Sequence, residues 1–314
     1  MIDNTATLSA QPPVRARRVF VLGATGTIGR ACVRALVNRG HEVVCLVRPP
    51  SSEVRHEALA GATVRIGDAT NPLSLEADGF CGEPFDALVS CLASRTGAPA
   101  DAQAIDYRAH VDALAAARRA GINHMVLLSA ICVQKPRLAF QHAKLAFEAH
   151  LIESGVTYSI VRPTAFFKSL SGQVERVRAG KPYLLFGDGT LTACKPISAG
   201  DLAQYIANCL DDPNLYNKIL PIGGPSPAIT PKEQGEALFA LLGTEPRFRH
   251  VRVRMLDAII LALTTAGRLS PKLAAKAELA RIGRYYATES MLVLNEHTGQ
   301  YDANATPSFG SETL

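Results

Sequence analysis

Glycines at 23, 26 and 29 punctuate the run VLGATGTIGR (21–30), directly after an apolar segment and directly before residues with helical spacing. That order of strand, glycine turn and helix is what a pyrophosphate site requires. Gly23 permits a tight turn at positive φ. Gly26 lets the backbone approach the anion, and Gly29 lets the helix lie close to the strand. Thr25, Thr27 and Ile28 complete the loop, where the helix start points free N–H groups at the anion. The next apolar run, EVVCLVR (42–48), ends in Arg48 and meets no acid until Glu53. A site reading an unphosphorylated ribose places Asp or Glu there, whereas a guanidinium binds a 2′-phosphate bidentately. The expected cofactor is therefore NADPH, with Arg30 as a second phosphate contact. Asp68, after the third strand, is in position for the adenine edge. Cys91, Leu92 and Ala93, in SCLAS (90–94), end the fourth strand where a backbone passes the cofactor.

These residues need a frame, and the chain supplies one. Strand-like runs at 17–23, 42–48, 62–68, 86–93, 124–130 and 157–163 alternate with helical spacing at 27–39, 103–120 and 139–154. Short apolar strands alternating with helices predict an α/β fold with a doubly wound parallel sheet. Beyond about residue 164 the rhythm loosens. A helix over 196–210 opens with Ser198 as N-cap and Asp201 in its first turn. Residues 218–224 read as one more strand, 231–243 as an amphipathic helix and 247–253 as extended chain. Two late helices, 254–267 and 270–287, precede a polar, turn-rich tail. The expected division is a flexible segment over 1–16, a Rossmann core over 17–165, and a smaller C-terminal substrate lobe over 166–314 that returns to the core at 196–224.

The composition excludes several classes. The chain has 314 residues, 47% of them hydrophobic and 19% charged, which fits a folded domain with a sizeable core and not a disordered chain. A net charge of +5 favours anionic small molecules, and no Lys/Arg run carries the aromatics expected of a nucleic-acid binder. Seven cysteines without a CxxC pair read as reduced core thiols of a cytoplasmic protein. Eight histidines without HExxH spacing predict no metal site. The first 13 residues lack the apolar core of a signal peptide. MLDAIILALTTAG (255–267) is too short to span a bilayer. It suits a pocket wall or a peripheral membrane contact.

Residues 17 to about 225 resemble the short-chain dehydrogenase/reductase superfamily in its extended, atypical, NmrA-like branch. The resemblance rests on G23-A-T-G26-T-I-G29, on LLSA at 127–130 with Ser129, on Lys144, on VRP at 161–163 with Pro163, and on PISAGDLA at 196–203. It implies a Tyr-x-x-x-Lys pair on one helix face. The tyrosine exchanges a proton with a carbonyl or alcohol oxygen; the lysine lowers its pKa and binds the nicotinamide ribose. Lys144 holds the catalytic lysine position, but Phe140 stands where the tyrosine belongs. A phenyl ring transfers no proton, so ketone or sugar-nucleotide chemistry is disfavoured. Reduction of a carbon–carbon double bond remains, as does NADP binding without chemistry, as in NmrA-like regulators.

The second half distinguishes these options. RIGRYYATESMLVLNEHTGQYDANATPSFG (281–310), the stretch 139–173 with its Phe140 and RPTAFFKSL, GDGT (187–190) and ACKPIS (193–198) are similar to the divinyl chlorophyllide/protochlorophyllide 8-vinyl reductases. That resemblance implies NADPH-dependent reduction of a tetrapyrrole's 8-vinyl group to ethyl. A conjugated vinyl group accepts hydride because the macrocycle delocalises the charge, so no oxyanion and no tyrosine are needed. The site then wants a flat apolar slot, with Phe140, Phe166 and Phe167 as candidate walls or as plain core. Arg162, Lys168 and the alternating arginines of 247–254 are candidate partners for the substrate propionate, the last also readable as a wet strand face. Lys144, His142, Tyr158 or a water are candidate proton donors.

Overall fold

The computed structural model describes residues 15–49, 59–268 and 270–314. Most of the expected N-terminal segment, and Glu53, lie outside the described residues. Strands β1 (Arg18–Leu22), β2 (Glu42–Val47), β3 (Thr63–Ile66), β4 (Ala87–Ser90), β5 (His124–Leu128) and β6 (Thr157–Pro163) precede β7 (Tyr183–Phe186), β8 (Lys218–Ile222) and β9 (Phe248–Val251). Seven of them form one parallel sheet in the order β3-β2-β1-β4-β5-β6-β8. Strand order reverses between β1 and β4, which places a ligand crevice at their carboxyl ends.

The sheet is buried on both faces, as a parallel sheet must be. Along β1 the side chains alternate. Val19 and Val21 pack with Cys32 and Leu36 of the Thr27–Asn38 helix and with Leu202 and Ile206 of the Ala199–Asp211 helix. Phe20 and Leu22 enter the opposite layer with Leu75, Phe80, Leu114 and Phe147. Ser198 caps the Ala199–Asp211 helix by accepting the Asp201 N–H at 2.9 Å. That helix packs in the same layer as the first one, and β8 is the edge strand beside β6.

The expected helix over 103–120 is two elements, preceded by a short helical turn. Pro99–Ala102 runs into a π-helical stretch, Gln103–Ala109, before the α-helix His110–Arg119 begins. The π stretch carries the buried Asp106, and buried His110 follows it. Wide turns of this kind recur where side chains must be re-aimed at a site.

Two smaller clusters lie outside the two layers of the sheet. Val177, Tyr183, Leu185 and Phe239 pack beneath a two-stranded parallel sheet of β7 and β9. Ile131, Cys132, Leu138, Cys194, Tyr285 and Met291 form another, on the border with the sheet. The Val253–Gly267 and Pro271–Thr288 helices pack together as a hairpin. The tail is docked on the core: β10 (Val293–Leu294) pairs with β11 (Tyr301–Asp302), and the Asp201 carboxylate accepts the N–H groups of Ser311 and Glu312 at 3.2 and 2.9 Å.

The first helix can lie on β1 because Gly29 lacks a side chain. A Cβ there would stand 2.1 Å from the Gly23 oxygen. Gly29→Ala is therefore expected to push the helix off the strand. Overpacking of this kind costs about 1–3 kcal/mol, to be read as a lowered urea midpoint with an unchanged slope.

Candidate active site

The carboxyl edge of the sheet carries a row of cavities. Gly23 turns at φ +73°, and a Cβ on it would meet the Cys91 carbonyl at 2.5 Å, so the glycine loop and the end of β4 touch backbone to backbone. No side chain caps the Thr27–Asn38 helix, and its first turn holds no acid. Its leading N–H groups thus face a gap with the positive end of the dipole behind them. The Ile28 side chain is buried in the core, so only its backbone is available there. Arg30 is committed elsewhere: its Nε donates to the Thr25 carbonyl at 2.7 Å and braces the loop. A cleft of about 110 Å³ beside the loop brings together Gly23, Thr25, Arg48, Asp68, Leu92 and Ala93. Arg95 and Asp101 share its wall, and the sequence reading had missed both. An uncapped helix start, a glycine cradle and two guanidiniums fit a dinucleotide bearing phosphate groups.

Behind the next stretch of the edge lies a buried polar array. Lys144 Nζ stands 3.1 Å from Asp106 Oδ1, with both side chains buried. Asp106 Oδ1 also accepts the Ser94 N–H at 3.2 Å, while Oδ2 has no partner. Ser129 donates to Glu148, which is also gripped by Arg162 through Nε at 3.3 Å and through Nη2. His110 Nδ1 lies 2.9 Å from the Ile105 carbonyl and Nε2 lies 2.9 Å from Ser90 Oγ. A carbonyl only accepts, so Nδ1 carries the proton and Ser90 donates to Nε2. Burial, and then Lys144, lower the His110 pKa to about 4.

In front of that array, at the ends of β5 and β6, opens a mostly apolar cavity of about 440 Å³. Ser129, Ile131, Pro163, Phe166, Cys194 and Met291 are among its walls. A second cavity of about 270 Å³ adjoins it, and Ser169, Leu170, Thr192, Pro231, Gln234 and Tyr286 line both. Tyr286 keeps 44% of its surface accessible at this junction. Neighbours packed around the hydroxyl end, and then Cys132, push the phenol well above its usual range, while the rest of the side chain stays accessible. Its hydroxyl lies 3.8 Å from Cys132 Sγ. At one edge Glu289 pairs with Lys135 at 2.6 Å and Arg137 at 2.9 Å. Burial opposes its charge, but Lys135, Tyr301 and Arg137 together hold the carboxyl below the usual range.

The structure departs from the sequence expectations for several residues. Half-buried Phe140 packs by Gly97 in the cluster that includes Ile282, and it is not on the cavity wall. Phe167 opens the short Phe167–Leu170 helix, and Phe166 alone of the three phenylalanines faces the cavity. Arg162 is spent on Glu148. Lys168 reaches Thr27, donating to its hydroxyl at 3.0 Å, and so stands at the helix start and not on the wall of the 440 Å³ cavity. Arg247, Arg249, Arg252 and Arg254 are exposed. His142 is exposed, and Tyr158 lies near the amino end of β6, away from the cavity. The Val253–Gly267 helix contributes nothing to either cavity wall; the helix after it does. Tyr286, Gln234 and Asp106 were missed because only chain-distant partners set them apart.

His110 and His124 both have pKa values lowered to about 4, by burial first. An unfolded histidine titrates near 6.5, so the unfolded state binds more protons between about 6.5 and about 4. Stability is full above 6.5 and falls as pH drops through that window. Urea unfolding across pH 4–7 is expected to show this decline, with a shallower slope for His110→Gln.

A model of the NAD(P)H-binding family matches residues 23–213. A UDP-glucose 4-epimerase of Thermus thermophilus, solved with NAD, superposes with a TM-score of 0.63 at 20% identity over 75% of this chain and 86% of that one, a likeness of fold. A chloroplastic divinyl chlorophyllide a 8-vinyl-reductase of Oryza sativa subsp. indica is 53% identical over 94% of this chain and 76% of its own length. The counterpart from Arabidopsis thaliana is 49% identical over 94% and 74%. With half of its residues shared along nearly its whole length, and with the nucleotide-binding fold in place, the chain belongs to the divinyl chlorophyllide a 8-vinyl-reductase family.

Proposed function

We propose that this chain reduces the 8-vinyl group of a 3,8-divinyl chlorophyllide or protochlorophyllide to ethyl, with NADPH as reductant, in chlorophyll or bacteriochlorophyll synthesis. The observation that carries the reading is an apolar cavity set at the end of the dinucleotide edge, in a chain half identical to reductases of that name. A non-catalytic regulator has no use for such a cavity.

The reduced nicotinamide, when bound, supplies a hydride. The protein's own residues hold the rest in place. Gly23, Thr25, Gly26, Thr27, Ile28 and Gly29 offer backbone to the pyrophosphate. Lys168, beside Thr27, adds a cation there. Arg48 and Arg95 flank the ribose cleft, Asp68 faces the adenine side, and Cys91, Leu92 and Ala93 pass the cofactor by backbone. Lys144, fixed by Asp106, serves the nicotinamide ribose from behind Ser129. Pro163 and Phe166 border the macrocycle slot. Phe140 removes the phenol that ketone chemistry would use, and this reaction forms no oxyanion.

No helix of the described residues is long and apolar enough to cross a membrane. The Val253–Gly267 helix nevertheless exposes Met255, Ile259 and Leu261 beside the exposed Arg252 and Arg254. This pattern suits shallow contact with an anionic lipid surface, where a substrate of low solubility gathers. Ile259→Glu with Leu261→Glu is expected to abolish co-sedimentation with anionic vesicles while leaving turnover of detergent-dispersed substrate unchanged.

Purified protein, NADPH and a divinyl substrate, mixed without oxygen, are expected to give a blue-shifted Soret band and an ethyl product on chromatography. No product despite tight NADPH binding would overturn the reading. Arg48→Ala is expected to raise the KM for NADPH about 10–100-fold and to leave NADH use nearly unchanged, the loss of one or two charge-assisted hydrogen bonds.

A further inference from the structure

Reduction of a vinyl group needs a proton as well as a hydride, and the helix that carries the family lysine offers Phe140 where a phenol would stand. The protic groups around the cavity are mostly committed. Ser129 donates to Glu148. Thr164 donates to the Lys195 carbonyl. Glu289 is ionised between Lys135 and Arg137. Lys144 is locked to Asp106 behind the wall. Cys194 accepts from Gln234 at 3.7 Å and is directed at the Ile229 carbonyl. Aliphatic alcohols are too weakly acidic to serve. The Tyr286 hydroxyl differs from all of these. It stands at the junction of the two cavities, and its one polar neighbour among the described residues is the weak sulfur of Cys132, 3.8 Å away. The adjacent Tyr285 makes the contrast: its hydroxyl is tied to the carbonyls of Cys132 and Lys135 at 2.9 and 3.0 Å.

We propose that the Tyr286 hydroxyl delivers the proton that completes the ethyl group. The inference rests on the reductase reading above. The terminal vinyl carbon gains hydride, and the electron pair left on the neighbouring carbon and its macrocycle takes the phenolic proton. One O–H bond breaks, one C–H bond forms, and a phenolate remains on Tyr286. Water entering through the 270 Å³ cavity returns the proton. The sum is one hydride and one proton added across the double bond. The acid thus comes from the Pro271–Thr288 helix and not from the helix that carries Phe140.

Tyr286→Phe keeps the ring and removes only the oxygen. It is expected to lower kcat about 10²–10⁴-fold, the span of a lost general acid. The KM for the tetrapyrrole, the Kd for NADPH read by fluorescence, and the Tm should stay near wild-type values. The wild-type kcat should fall in D2O, and the variant's residual rate should show an altered solvent isotope effect. Fluorotyrosine at 286, with a more acidic phenol, should change kcat and the solvent isotope effect together, a change that a packing role would not produce. An active wild type with an equally fast Tyr286→Phe, or a variant slowed through KM alone, overturns this inference and leaves the reductase reading standing. An inert wild type overturns both.

Discussion

Between the Gly23 carbonyl oxygen and the α-carbon of Gly29 there is no room for a methyl group. That contact seats the first helix against β1, and seating it there puts an uncapped, acid-free helix start at the carboxyl edge of the sheet. The remaining features follow along that edge. To one side of the β1/β4 reversal lies the cleft with Arg48, Arg95 and Asp68. To the other, past the ends of β5 and β6, lies the large apolar cavity. Lys168 joins the two halves at the middle by reaching from the lobe to Thr27.

The wall behind the slot holds charge without presenting it. Lys144 and Glu148 are four residues apart on one helix face, and each is matched by an opposite charge from another element, Asp106 and Arg162. The four charges cancel, and the nearby His110 is neutral at pH 7. Buried pairs of this kind contribute little net stability, because desolvation offsets the attraction, yet breaking one is costly. Their effect here is geometric. They hold the Ala139–Glu153 helix in register with β5 and β6, and they draw the Ser129 hydroxyl toward Glu148 and away from the cavity. The cavity wall in front of the array is therefore mostly apolar, although Ser129 belongs to it.

What was legible in the sequence was local. The glycine loop, the alternation of strand and helix and the Ser198 cap each depend on neighbours a few residues away, and short-range pattern carries them. The site residues that moved depend on partners far along the chain. Arg162 reads as a free cation until Glu148 is seen across from it, and Lys168 meets Thr27 across 141 positions. Phe140 keeps its place on the helix, but its ring lies against Gly97, where the missing side chain leaves room for it. The π-helical stretch over Gln103–Ala109 has no local signature that separates it from the α-helix around it. Tyr285 and Tyr286 are adjacent and alike in sequence; one is a strut and the other lines a cavity, because neighbouring residues point about 100° apart around a helix.

Placing the acid on the lobe shifts the demand for rigidity to the chain's end, and the tail meets it. Ser290 accepts the Ala193 N–H at 3.0 Å, and Met291 donates to the Ala193 carbonyl at 2.9 Å, directly after the helix that carries Tyr286. Tyr301 donates to Glu289 at 2.8 Å, beside the ion pairs to Lys135 and Arg137. Farther on, Gly223 donates to the Pro307 carbonyl and accepts from Phe309 at 2.8 and 2.9 Å, and Asp201 takes the N–H groups of Ser311 and Glu312. These bonds run from the cavity wall to the last strand of the sheet. They anchor the chain that follows the Tyr286 helix to the sheet that carries Ser129 and Pro163, although 157 and 123 residues separate Tyr286 from them in the chain. The polar, turn-rich tail thus acts as the strap that converts two separately packed layers into one site.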